Sequence, residues 1–271
     1  MSLLWLRVAL GCYAIGLLYV LTALGRTNEW LNRVALQAAG LGMIFQFVSL
    51  TEGVLLSGQI TIAATRNAES VLAFLIMVLF FLVYFIYRTT SPGIAVFPLV
   101  FLLTFIAATG QQPFIGMPPG VRKGWLISHI TLIFIGYAAL FLSFGTSLIY
   151  LVQERTLKLK RPNGLLSRLP ALEVLDEISF RSLLLGFPCM TLGLAAGIVV
   201  AEATYGHFDY ADPKILLSLL MWAVYLLLLF TRWSAGWRGR KAAYFAAGAF
   251  ATAVIAWAAN YFSVIHRFVR S

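Results

Sequence analysis

The 271-residue chain has only three histidines, His129, His207 and His266, and imidazole is the side chain here best suited to bind a metal. Two imidazoles from different helix ends can fill both axial positions of a haem iron, and zinc or copper would accept the same groups. Near them in the sequence stand the cations Arg122 and Lys123, the acids Glu202, Asp209 and Asp212, and the aromatics Trp125, Phe208, Tyr210 and Tyr261. The cations would offset haem propionates and the rings would flank a porphyrin. That setting favours haem over a bare metal ion. The two cysteines, Cys12 and Cys189, form neither a CxxC nor a CxxCH pattern. A disulfide framework and covalent haem attachment are therefore not expected, and a bound haem would be b-type and non-covalent. The sequence offers no set of nucleophile, base and orienting group, so no catalytic activity of its own is expected.

Such ligands need elements that place them together. With 61% hydrophobic and 11% charged residues, the chain has more apolar surface than a soluble core of this size could hide. A helix needs roughly 17–25 apolar residues to cross a hydrocarbon core. Eight runs come near that length, at about 3–24, 34–56, 70–87, 93–108, 126–151, 182–203, 215–230 and 242–262. Alternating segments of barrel type are absent. The expected fold is an all-α, polytopic transmembrane helix bundle of about eight helices. The first run carries Arg7 and lacks a clear small-residue cleavage site, so it reads as a retained helix.

The net charge of +10 finds its explanation in the bilayer, and nucleic acid is not an expected partner. Thirteen of the twenty Lys and Arg residues, among them Arg88, Arg155, Lys158, Arg161, Arg232, Arg238 and Arg240, fall after odd-numbered helices. Basic loops stay on the cytoplasmic side. Both termini are therefore expected on the outer side of a prokaryotic-type inner (plasma) membrane. His129, His207 and His266 then share that outer face.

Other features read more simply. Glu52 falls near the outer end of the second run, where an acid is costly and a functional role is open. Pro98 predicts a kink in the fourth run. The inner connector, 152–181, carries Leu169, Leu172, Leu175 and Ile178 at every third position, a spacing suited to a helix lying along the membrane surface. Asp212-Pro213 reads as a helix start. Embedded charges are scarce, which argues against a small-solute transporter.

Several stretches carry a resemblance. Trp125-Leu126-Ile127-Ser128-His129 begins a helix, Asp212-Pro213-Lys214 precedes Trp222-Ala223-Val224-Tyr225, Gly236-Trp237-Arg238-Gly239-Arg240 follows, and Asn260 precedes His266. In order and spacing, residues 125 to 266 resemble the cytochrome c assembly proteins of the CcsA and HemX type, polytopic haem-handling membrane proteins. The resemblance implies a boundary between an N-terminal four-helix region, 1–124, and a C-terminal assembly-type region, 125–271. It also implies that His129 and His266 are the two outer axial ligands of haem, with His207 a gate or substitute ligand. Arg122, Lys123, Trp125 and Asp212 would line the site. Implied partners are membrane lipid, haem, and another assembly subunit or an apocytochrome. Two departures stand out: Asp209 and Ala211 replace tryptophans of the haem-exporting members, and Phe230 replaces their membrane-embedded histidine. Leu172-Glu173 and the stretch 180–197 are closer to the HemX and YpjD-like branch, so the alternative is an accessory or regulatory membrane protein that does not hold haem.

Overall fold

The computed structural model describes residues 2–25, 29–57, 65–110, 123–159, 169–205 and 212–258. They form eight helices: α1 Ser2–Gly25, α2 Glu29–Ser57, α3 Thr65–Tyr87, α4 Gly93–Thr109, α5 Lys123–Lys158, α6 Leu172–Tyr205, α7 Pro213–Trp233 and α8 Arg240–Ala258. Seven are long and apolar enough to cross a membrane, and α4, at 17 residues, is the shorter apolar one. No strand occurs among the described residues. The protein is a polytopic transmembrane helix bundle.

Large side chains of α1 to α4, among them Tyr13, Met77, Phe80 and Phe97, form one core that also takes Ala138, Phe141 and Leu142 from α5. Leu140 of α5 turns to a second core with Met190, Met221, Tyr225, Leu228 and the alanine face Ala246, Ala249, Ala253 and Ala256 of α8. The regions on either side of residue 124 thus meet along α5, whose middle is enclosed from both directions. Successive helices alternate in direction. Leu6 of α1 packs on Ala107 and Ala108 at the close of α4, and Ser49 of α2 donates to the Ser2 carbonyl at 2.7 Å. These ends lie on the side where α5 begins, here termed the histidine end; α5 closes at the opposite, arginine end.

Several polar side chains inside the bundle are paired across helices, which spares them the cost of standing unbonded in hydrocarbon. Gln46 of α2 is fully enclosed, accepts from the Tyr13 hydroxyl at 2.7 Å and donates to the Ser70 carbonyl at 3.0 Å. One amide therefore ties α1, α2 and α3. Between α5 and α6, the Ser147 and Ser179 hydroxyls bond at 2.8 Å. Farther along, four glycines sit under large side chains of the opposite helix: Gly186 under Leu140, Gly136 under Met190, Gly193 under Ile133 and Gly197 under His129. A step of seven and then four residues along α6, Gly186 to Gly193 to Gly197, is matched by the same step back along α5, Leu140 to Ile133 to His129. This is a heptad seam between antiparallel helices.

The connector differs from the sequence expectation. The stretch 172–180 is no separate helix on a membrane surface. It is the opening of α6, which runs unbroken from Leu172 through Pro188 to Tyr205. Leu175 and Ile178 are 0% and 1% exposed, so the apolar face that the spacing revealed meets protein instead of lipid. α5 likewise continues to Lys158, and Gln153 donates to the Pro170 carbonyl at 3.0 Å, closing the shortened connector.

At the arginine end, the Arg232 guanidinium of α7 is 4% exposed and pairs with Asp176 of α6 at 3.0 Å. It also lies 4.8 Å from the Phe180 ring centroid. The other carboxylate oxygen of Asp176 accepts from the Gly239 amide at 3.2 Å, so one acid holds both α7 and the turn into α8. That turn requires glycine: Gly239 has φ +63°, and a Cβ there would stand 2.7 Å from the Tyr150 hydroxyl.

Candidate haem-ligand site

His129 lies in the second turn of α5 and is half-buried against α6. Its Nδ1 is 2.7 Å from the Gly193 carbonyl. A carbonyl can only accept, so Nδ1 carries a proton, and in the neutral ring Nε2 keeps its lone pair. Nε2 has no hydrogen-bond partner among the described residues. The ring rests on Gly197, where a Cβ would come within 2.7 Å of Cε1 and 2.8 Å of Nδ1. Metal-ligating histidines commonly donate one ring N–H to a backbone carbonyl, which fixes the tautomer and leaves the other nitrogen for the metal. His129 meets that requirement, and in donor chemistry it fits an iron porphyrin.

One further helix, α7, closes on this position. Trp125 is one turn earlier on the same face of α5 and 47% exposed. Lys123 opens the helix. Across from them α7 begins at Asp212, whose carboxylate accepts from the Lys214 amide at 2.8 Å, with Pro213 in the first turn. Asp212 is thus a helix cap, 4% exposed. The Lys214 side chain lies within electrostatic reach of both His129 and Asp212. Imidazole lone pair and ammonium together suit a ligand that offers a metal and carboxylates. Deeper in the bundle Trp222 donates to the Thr191 hydroxyl at 3.0 Å and stacks on Phe187, tying α7 to α6 below the site.

Of the residues singled out from sequence, the structure brings His129, Trp125 and Asp212 to the histidine end. Arg122, His207 and His266 lie outside the described residues. Sequence reasoning missed Gly193, Gly197 and the part of Lys214, which read only as helix-start chemistry. The signal for the glycines was present in their spacing with Gly186. Phe230 is 61% exposed, on the outside of the bundle.

The sequence profile described as "Cytochrome C assembly protein" matches residues 64–266, most of the chain. Among curated proteins, the "Cytochrome c biogenesis protein CcsA" of Synechococcus sp. is 34% identical over 146 residues, 46% of this chain and 48% of the relative. That of Chlamydomonas reinhardtii is 32% identical over 149 residues, 54% of this chain and 40% of the relative. That of Prochlorococcus marinus is 30% identical over 177 residues, 56% of each. The chain spans about half the length of the curated relatives it matches.

Proposed function

Because the chain belongs to the cytochrome c assembly protein family, we propose that it is a haem-handling integral membrane protein that presents haem between His129 and His266. The histidine end faces outward from a prokaryotic-type inner membrane, and the protein serves cytochrome c biogenesis, the process for which its relatives are named. The observation that carries this reading is the placement of His129, with Nδ1 2.7 Å from a backbone carbonyl that can only accept its proton, so that the neutral ring keeps its lone pair on Nε2 for a metal. Haem, when bound, supplies an iron with two open axial positions and two propionate carboxylates.

In this reading His129 and His266, the latter lying beyond Ala258, the last described residue of α8, would be the two residues that hold the haem iron. His207 is a substitute ligand. Lys214, with Arg122 and Lys123, offsets the propionates, while Asp212 holds the start of α7 so that the Lys214 ammonium stays at the site. Trp125 covers the porphyrin from α5. The haem is b-type and non-covalent, and the recipient is an apocytochrome or another assembly subunit.

The test is a spectrum of protein purified from haem-replete cells. Two imidazoles give six-coordinate, low-spin iron. His129→Ala and His266→Ala should each convert it to a five-coordinate or water-ligated centre, and added imidazole should partly restore the low-spin bands. His207→Ala should do much less. Absence of haem from the wild-type protein sinks the proposal. An unchanged low-spin spectrum in both variants, with loss in His207→Ala, moves the ligand to the connector instead.

A further inference from the structure

His129 occupies the last described step of the α5–α6 seam, a position where the preceding partners are Ile133 and Leu140. An imidazole set among such apolar neighbours would ordinarily be held by shape alone, free to place either nitrogen forward. Here the opposing helix supplies both a hollow and an acceptor. We infer that Gly197 is the positioning residue of the site, its missing side chain forming the seat of the His129 ring. The Gly193 carbonyl one turn earlier fixes which nitrogen faces out. The inference deepens the ligand reading above and rests on it.

The geometry supports this in two independent ways. Any side chain at 197 would stand 2.7 Å from Cε1 and 2.8 Å from Nδ1 but 3.6 Å from Nε2, so it would push on the edge of the ring that faces Gly193. The hydrogen bond of 2.7 Å is already short, and the ring cannot move off Gly197 without stretching it. The register of the seam removes the other escape. Sliding α5 would disengage Ile133 from Gly193, Leu140 from Gly186 and Ser147 from Ser179 at once. Gly186 offers a control: it is seated in the same seam against Leu140 at 3.0 Å, and it sits three turns from the ligand.

The first measurement needs no haem. With His207→Gln and His266→Gln in the full-length chain, His129 is the only histidine left. Nitrogen NMR of labelled histidine then reads its tautomer directly. The expected result is a neutral ring protonated at Nδ1, and Gly197→Ala should lose that single tautomer, while Gly186→Ala should keep it. The second measurement uses the haem-loaded protein with all three histidines. Gly197→Ala should weaken haem retention about tenfold or more, as loss of an outer-shell partner does, and lower the low-spin fraction, with imidazole restoring the spectrum. Gly186→Ala should lower the unfolding temperature without changing that spectrum. An Nε2-protonated ring in the parent chain overturns the inference, and so does a Gly197→Ala variant unchanged in both tautomer and spectrum. Should Gly197→Ala fail to fold, the parent tautomer decides alone. Should the wild type hold no haem, the ligand reading falls while the NMR result still judges the seat.

Discussion

Arg232 and Arg181 carry the same charge on neighbouring helices, and burial separates them. The Arg181 guanidinium pairs with Glu177 in the open, with side chains 64% and 43% exposed, where water and salt screen the attraction. Arg232 is enclosed against Asp176 and Phe180, and removing it strands a carboxylate and the α8 turn that the carboxylate holds. Arg232→Ala should cost on the order of 3 kcal/mol and Arg181→Ala almost nothing, measured by equilibrium unfolding in detergent micelles. Equal losses would show that the Arg232 pair is hydrated. From sequence both residues entered only a count of orientation charges, because a pairing 56 positions apart leaves no mark in local composition. His129 was legible as a donor near a helix start, since three histidines in so apolar a chain stand out. Its proton position was not, because the acceptor comes from the backbone of another helix, 64 positions away.

The helices themselves were legible from their length and apolar content, and six of the eight begin and end near where the composition changes. α5 and α6 did not, because their extensions at the arginine end are amphipathic. A three-residue apolar spacing announces one buried face without saying what buries it. The Ser147–Ser179 contact at 2.8 Å sets the register between these extensions. With Cys12 and Cys189 replaced by alanine, a Ser147→Cys, Ser179→Cys chain should form an intramolecular disulfide on mild oxidation, seen as a reductant-sensitive gel shift of the monomer. Crosslinking only between chains would refute the register. Packing gives a second check. Gly186→Ala drives a methyl into Leu140 and should cost about 1–3 kcal/mol, and adding Leu140→Ala should recover part of that loss, so that the double variant is less unstable than the two single effects added. Strict additivity would mean that the two positions do not touch.

For the whole molecule, the distribution of Lys and Arg predicts an orientation that helix geometry alone does not fix. The arginine end, with Arg88, Arg155, Lys158, Arg238 and Lys241, should face the cytoplasm. Reporter fusions after Ser271, or labelling of a cysteine placed there, should show the outer side; a cytoplasmic Ser271 would reverse the bundle and carry His129 with it. One more property belongs at this scale. Position 230, where the resembling haem exporters carry an embedded histidine, is 61% exposed on α7, so its side chain looks away from both cores of the bundle. A histidine introduced by Phe230→His would hold out its imidazole to the surroundings, and a companion ligand could come only from another molecule or from a segment folded over α7. With phenylalanine at 230 that stretch of α7 is instead apolar outer wall, and under the proposed function haem would be held at the histidine end alone.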